Sequence, residues 1–452
     1  MMLSAELVKK YNQPAPRYTS YPTLPLWENN LQSEVWEKLV KKAFLQFGKK
    51  EGISLYIHLP FCESLCTYCG CNKRITKNEA VKAPYIEALL AEWRKYADLF
   101  VEKPKIAGIH LGGGTPTFFD PESLHDLISQ ILDSSDRMPQ AEFSFEGHPN
   151  NTSFDHLKTL RNLGFDRVSF GIQDFDEQVQ TAIHRIQPFE KVKNVTDTAR
   201  SLGYTSINFD LIYGLPHQTL ESMTDTIAKV QSLKPDRIAF YSYAHLPSAF
   251  PAQKSFEQFL PSEIQKKELY ETGKTLLKNI GYEEIGMDHF ALPGDPLVSA
   301  KSEGRLHRNF MGYTTLPSKI LIGLGASSIS DVYFAYAQNT KGIESYQSEA
   351  ISGCWALQKG HILTEQDILV RSSILDLICK KQAEIPKEIW NSLSERQLAN
   401  LSEMECDQLI NISSTRLTLR EEGVHFVRNI CVQIDLRLAA DRSKKKIFSK
   451  VV

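Results

Sequence analysis

The chain has 452 residues, 42% of them hydrophobic and 23% charged, with a formal net charge of -2. These shares exclude a disordered, collagen-like or coiled-coil chain, and the near-neutral balance excludes bulk attraction to nucleic acid or to an anionic membrane surface. Single cores stop growing at roughly 250–300 residues, so the length predicts one large domain and one smaller one.

Residues 1–23 carry no apolar core region and no small-residue cleavage site, so no export signal is expected. No uninterrupted apolar stretch of about 18 residues occurs, so no membrane span is expected, and the protein is read as cytoplasmic. Residues 1–50 read as an N-terminal extension that packs over the active site. Pro14, Pro16 and Pro22 exclude regular helix or central strand there, while Tyr18 and Tyr21 point to a segment packed on something. From residue 53 a rhythm begins. Apolar, β-branched or aromatic runs at Ser54–His58, Ala107–Leu111, Glu142–Phe145, Arg167–Gly171, Ser206–Ile212 and Arg237–Tyr243 predict strands. Between them, Tyr85–Phe100, His156–Leu163 and Leu220–Leu233 show helical spacing of apolar residues. Strand alternating with helix predicts an α/β fold, a partial (β/α)6 TIM-like barrel over 51–290. In such barrels the chemistry sits at the C-terminal ends of the strands. Residues 291–361 read as a substrate-contacting connection. Residues 362–452 read as a mostly helical, winged-helix-like C-terminal domain, with an amphipathic segment at Thr364–Lys380 and a strand pair within Leu409–Leu419. Its one basic run, Arg442-Ser443-Lys444-Lys445-Lys446, reads as a solvated tail, and no nucleic-acid partner is expected.

Of eight cysteines, Cys62, Cys66, Cys69 and Cys71 fall within ten residues. Cys354, Cys379, Cys406 and Cys431 are scattered and read as buried, inert thiols. Without an export signal disulfides are not expected, and a tight group points to metal. The first three follow the first predicted strand with the spacing C-x3-C-x2-C. Soft thiolates suit an iron–sulfur cluster, and a loop that supplies only three leaves one iron of a cube open to a small molecule. A structural zinc site would want four ligands, commonly in two separated pairs, and no second pair follows. A cluster held wholly by protein, with Cys71 as fourth thiolate, is the other alternative.

With Tyr68 just before the third cysteine, the motif resembles the radical S-adenosylmethionine superfamily. That resemblance implies a [4Fe–4S] cluster held by Cys62, Cys66 and Cys69, whose open iron takes the amino and carboxylate groups of S-adenosylmethionine. A closer resemblance covers nearly the whole chain. Tyr56–Cys62, Cys71, Arg17–Thr23, Gly286–Ala291 and Leu306–Phe310 are similar to the oxygen-independent coproporphyrinogen III oxidase (dehydrogenase) family. It implies conversion of two propionates of coproporphyrinogen III to vinyls, giving protoporphyrinogen IX, with two S-adenosylmethionine molecules bound at once. A separate electron donor protein is expected as partner, and nothing demands more than a monomer.

Gly112–Thr117 lacks the Lys-Ser/Thr end of a P-loop, but its glycines let a ligand approach the backbone. The resemblance implies that Gly113, Gly114 and Thr115 meet the amino group of S-adenosylmethionine. It implies cofactor contacts for Glu146, Gln173, Arg185 and Asp210 at or after strand ends, for Tyr56 and Tyr68 beside the cluster, and for Ala244 and Ile329 as apolar walls. Tyr56, Glu146 and Phe310 are the residues placed at the chemistry. On the residues alone, Tyr56, Tyr68, Ala244 and Ile329 also read as core, and Arg185 as a surface arginine. A porphyrinogen carries four carboxylates, and Arg17, His307 and Arg308 are the candidates for a basic rim. The chain departs from the family twice. Met311 stands where well-known members have Gln, and Glu146-Gly147-His148-Pro149 stands for the usual Glu-Val-Asp-Pro. A related haem-binding chaperone is the rival of another class; Cys71 and Arg17–Thr23 argue against it. Asn309-Phe310 and Met287–His289 argue against a haem-degrading radical methyltransferase.

Overall fold

The computed structural model describes residues 5–316, 318–441 and 448–449, which gather into two compact units. The larger comprises 29–282 and 318–360; the other comprises the residues up to Glu28, Glu283–Leu316 and the residues from His361 onward. These units cut across the four consecutive segments expected from the sequence, because the contacts that define a unit are long-range and need not follow chain order.

All six expected strands form in the larger unit. They are β1 (Ile53–Leu59), β2 (Lys105–Gly113), β3 (Asp136–Gly147), β4 (Arg167–Gln173), β5 (Ser206–Tyr213) and β6 (Arg237–Ser242). Each pairs in parallel with the next. Both faces of such a sheet are covered, which is why β1 reads as a nearly continuous apolar run and is buried along its length. The crossover helices show their physics locally. Pro121–Asp133 starts at Asp120, whose carboxylate accepts the N–H of Ser123 at 2.8 Å, and it buries Leu124, Leu127, Ile128 and Ile131 on one face. Leu220–Leu233 starts in a reciprocal cap between Thr219 and Ser222 and buries Met223, Ile227 and Val230. The helix expected at Tyr85–Phe100 runs Lys82–Ala97, with Pro84 in its first turn where no N–H is needed.

The sheet continues beyond the six strands. β7 (Leu321–Leu324) pairs in parallel with β1 on the side away from β2, and β8 (Ile329–Asp331), β9 (Ala335–Asn339) and β10 (Leu357–Ile362) follow. Most of these strands lie within 291–361, which the sequence reads as a connection. β7 and β8 are too short to show a period, and they are specified by pairing with distant strands. Residues 29–48, expected within the extension, carry the helix Ser33–Ala43, whose Trp36 is fully buried and donates its indole N–H to Tyr96 Oη at 3.2 Å.

In the second unit the proline-rich stretch is irregular, as expected, and its backbone carbonyls find side-chain donors instead of a ladder. Arg428 Nε donates to Pro16 O at 3.1 Å, Asn429 Nδ2 to Gln13 O at 3.2 Å, and Arg308 Nη1 to Arg17 O at 2.7 Å. Tyr18 and Tyr21 are buried, with Tyr18 Oη on Asp435 Oδ2 at 3.0 Å. The helices Glu365–Lys380, Lys387–Asn391 and Glu395–Cys406 accompany a three-stranded antiparallel sheet of Gln382–Glu384, Arg416–Leu419 and Ile410–Ser413, a winged-helix arrangement. The basic run at 442–446 lies outside the described residues.

Two expectations are corrected. Cys379 and Cys431 are buried thiols, but Cys354 and Cys406 are exposed, each beside a helix C-terminus rather than on a core face. Arg308 is only 7% exposed and its Nη1 donates to the carbonyls of Arg17 and Tyr18, while its Nε is buried without a partner among the described residues, so it holds the proline-rich stretch rather than standing free at a rim.

Candidate active site

The cysteine loop leaves β1 and is pinned from several sides. Phe61–Cys62 pairs with Arg74–Ile75, closing the loop. Gly114 N–H donates to Leu59 O at 2.8 Å, Thr115 N–H to Phe61 O at 3.0 Å, and Thr67 N–H to Ile183 O at 3.1 Å. The first two sulfurs meet polar groups: Thr115 Oγ1 lies 3.3 Å from Cys62 Sγ, and Arg185 Nη1 donates to Cys66 Sγ at 3.3 Å. Burial pushes the Cys62 thiol up to about 11, while a hydrogen bond from Cys71 brings Cys69 down. Among the described residues no three His, Cys, Asp or Glu side chains converge closely enough for one metal ion. Thiolates on an iron–sulfur cube each bind a different iron and stand farther apart than the ligands of a single zinc. Three cysteines around one cavity supply the soft thiolates that an iron–sulfur cluster takes.

That cavity has a volume of about 290 Å³ and is lined by Cys62, Cys66, Cys69 and Cys71 on one side. The rest of its wall is built from strand ends: Gly113 at the end of β2, Gly147 of β3, Gly171 and Gln173 of β4, Asp210 and Ile212 of β5, and Tyr241 of β6. Gathering residues from five successive strands at their C-terminal ends is what a β/α barrel does with its active site. Two backbone features are special. Gly113 has φ +115°, and a Cβ there would sit 2.6 Å from the His58 ring. Gln173 holds φ +70° without being glycine, a conformation that costs energy and concentrates at ligand sites.

Two carboxylates and one guanidinium set the electrostatics. Burial works against ionised Glu146, but His110 Nε2 at 3.4 Å from Oε1 and the Gly113 N–H at 3.2 Å from Oε2 outweigh it, so its carboxyl is held below the usual value. Asp210 goes the other way. Burial and the charge of Glu146 push it up to about 7, against hydrogen bonds from Ser169 at 3.1 Å and Asn208 at 2.8 Å. Arg185 is anchored by two hydrogen bonds to Gly171 O, at 3.2 and 2.7 Å. A cavity with acid on one part of its wall and a guanidinium on another is complementary to a ligand that carries both a cation and a carboxylate. Behind it, His58 Nε2 meets Asn72 O at 2.8 Å, so its Nδ1 is the acceptor for Tyr56 Oη at 3.0 Å.

Of the residues expected at the site, Cys62, Cys66, Cys69, Tyr68, Gly113, Gly114, Thr115, Glu146, Gln173, Arg185 and Asp210 all line this cavity. Tyr56, Ala244 and Ile329 do not line it. Tyr56 stacks on His110 in the layer beneath, ring centroids 5.9 Å apart; Ala244 is exposed; Ile329 is half-buried in β8. Phe310 belongs to the second unit, where its ring meets Trp27 edge-on at 6.2 Å. Lys73, His148, Asn151, Ile212 and Tyr241 line the cavity as well and were not anticipated. Position immediately after a strand would have flagged His148. Of the two departures from the family pattern, His148 faces this site, and Met311 is exposed in the second unit.

Comparison with known proteins follows the same lines. The Radical SAM superfamily profile matches residues 56–230. The chain is 37% identical over 462 residues to the oxygen-independent coproporphyrinogen III oxidase of Synechocystis sp., covering 99% of this chain and 98% of the relative. It is 38% identical over 457 residues to the Escherichia coli (strain K12) protein of the same name, covering 99% and 98%. The solved structure of coproporphyrinogen III oxidase (HemN) from Escherichia coli, a radical SAM enzyme, superposes with a TM-score of 0.88 at 36% identity and covers 96% of this chain and 99% of that one.

Proposed function

Because the chain belongs to the oxygen-independent coproporphyrinogen III oxidase family of radical SAM proteins, we propose that it converts two propionates of coproporphyrinogen III to vinyls without oxygen, giving protoporphyrinogen IX. Its cofactors are a [4Fe–4S] cluster and S-adenosylmethionine. The end-to-end likeness to enzymes of that name carries this reading. When bound, the two cofactors would supply a 5′-deoxyadenosyl radical able to take one hydrogen atom from a propionate β-carbon, with carbon dioxide released and one electron passed to an external one-electron acceptor as the vinyl forms.

The chain's own residues bind and orient. Cys62, Cys66 and Cys69 hold the cluster, with Thr115 and Arg185 placing polar hydrogens on two of the sulfurs. Arg185 also presents its charge to the carboxylate of S-adenosylmethionine, and ionised Glu146, braced by His110 and Gly113, faces its ammonium. Asp210 and Gln173 take the ribose side, and Tyr68 packs on the adenine. Tyr56, hydrogen-bonded to His58, supports this wall from beneath. Phe310 is assigned to the substrate, and Arg17, paired with Asp288 at 3.2 Å, and His307 to its carboxylates. No helix among the described residues is long and apolar enough to cross a membrane. The protein works in the cytoplasm as a monomer, with electrons delivered by a separate donor protein.

The test is anaerobic. Cluster-reconstituted protein is given S-adenosylmethionine, a strong reductant and coproporphyrinogen III, and the products are read by mass. Loss of two carboxyl groups with release of 5′-deoxyadenosine is expected, and both disappear in Cys62→Ala. Cofactor cleavage with intact porphyrinogen would overturn the substrate; tight haem binding with no turnover would replace the enzyme reading with a carrier.

A further inference from the structure

His148 stands on the first residue after β3 and lines the cavity together with Arg185, Asn151 and Gln173. Its ring is half-buried, and its nitrogens are not equivalent. The backbone N–H of Asn150 donates to His148 Nδ1 at 3.2 Å. A nitrogen that accepts cannot carry the proton, so the neutral ring must hold it on Nε2. Nε2–H has no partner among the described residues, although the same turn is well supplied elsewhere: the His148 carbonyl accepts from the N–H groups of Asn151 and Thr152, both at 2.9 Å. The turn thus fixes the tautomer and leaves one donor at the cavity wall.

The ring is also kept neutral. Burial, and then the nearby charge of Arg185, hold its pKa down at about 3, so the donor persists across the physiological range without adding a charge. A neutral N–H beside a guanidinium selects for an oxygen that bears negative charge, since the cation attracts the anion and the directional donor fixes one of its oxygens. Ionised Glu146 lines another part of the same wall and would repel that anion from itself.

Resting on the functional reading above, we propose that His148 is a ligand-binding residue that donates Nε2–H to a carboxylate oxygen held jointly with Arg185. Two bound molecules carry that chemistry, S-adenosylmethionine through its aminoacyl end and the porphyrinogen through its propionates.

The geometry supplies its own control. The amide oxygen of asparagine falls where Nδ1 lies, and the amide nitrogen of glutamine where Nε2 lies. His148→Asn therefore keeps the acceptor for Asn150 and removes the donor, whereas His148→Gln keeps the donor and removes the acceptor. Each cluster-reconstituted protein is titrated with S-adenosylmethionine by anaerobic calorimetry, and its KM for coproporphyrinogen III is measured separately. A hydrogen bond to a charged group predicts weakening of about ten- to a hundred-fold in His148→Asn, with His148→Gln close to the unsubstituted protein. Weakening of the titration assigns the carboxylate to S-adenosylmethionine. An unchanged titration with raised KM assigns it to the porphyrinogen. Asn and unsubstituted protein within two-fold on both measures, or Gln impaired as much as Asn, overturns the role for His148 while leaving the functional reading intact. Absence of S-adenosylmethionine binding in the unsubstituted protein overturns the functional reading and this one with it.

Discussion

Gly114→Ala probes how the glycine-rich turn supports the cysteine loop. A Cβ at Gly114 would sit 2.7 Å from the carbonyl carbon of Pro60 and 2.8 Å from the oxygens of Pro60 and Phe61. Carbon atoms pack at about 3.5 Å or more, so the methyl is short of room by about 0.8 Å. All three neighbours are backbone, and that backbone leads directly into Cys62. It cannot rotate aside as a side chain would, and it is held by the hydrogen bonds of Gly114 and Thr115 to Leu59 and Phe61. Either those bonds lengthen or the start of the loop moves. Overpacking of this kind costs about 1–3 kcal/mol. The displacement falls on a cluster ligand, so iron bound per chain after anaerobic reconstitution drops together with the urea midpoint. Gly294→Ala is the control, since nothing lies within 4 Å of its added Cβ, and it is expected to stay within about 0.5 kcal/mol. Full iron content and an unshifted midpoint in Gly114→Ala would refute the claim that this contact positions the loop.

Asp210 makes stability depend on pH. Its folded carboxyl is pushed up to about 7 from 3.8 by burial, so the folded state holds the proton more tightly than the unfolded chain. The contribution is full below pH 3.8 and is lost as pH rises through about 7; cluster-free Asp210→Asn should melt higher than the unsubstituted protein at pH 8, with the gap closing toward pH 4. An equal gap at both ends would exclude the titration. Glu92 is a buried carboxylate that accepts from Tyr346 Oη and Asn339 Nδ2, both at 2.6 Å, and from Gly325 N–H at 2.9 Å. Glu92→Ala strands two buried donors, Tyr346 Oη and Gly325 N–H, at about 1–3 kcal/mol each, while Asn339 Nδ2 keeps Gly325 O and Ser328 Oγ, and a chemical denaturation curve should shift by at least about 2 kcal/mol. Cys71→Ser separates the two cluster ligations: retention of the cluster absorbance is expected, and its loss would make Cys71 the fourth thiolate.

The legible part of the molecule was the part whose information is local. β1 to β6 could be read because each carries its own run of apolar residues, and a strand buried on both faces leaves that record in sequence. The helix Leu220–Leu233 could be read to the residue because its cap, Thr219, and its apolar spacing are both encoded within one segment. The spacing of the three cysteines pointed to an iron–sulfur cluster, and the resemblance supplied its chemistry. β7 and β8 could not be read, since runs of four and three residues show no period and are specified by partners such as Ser54 and Leu55, far away in the chain.

The same division holds within the candidate site. Sequence by itself determined the residue types, the turn after each strand and the grouping of the cysteines that points to metal, because covalent order places those groups. Only the tertiary structure decided what each group does electrostatically. Glu146 and Asp210 are both acids on neighbouring parts of one wall, yet one is held ionised by His110 and Gly113 and the other is pushed toward neutrality by burial and by the first. Arg308 looked like a rim cation until its guanidinium was found on the carbonyls of Arg17 and Tyr18. Cys354 and Cys406 looked like core thiols and are exposed. Burial and partnership are properties of through-space neighbours, and those are set by pairing across hundreds of residues, which composition and local pattern do not record.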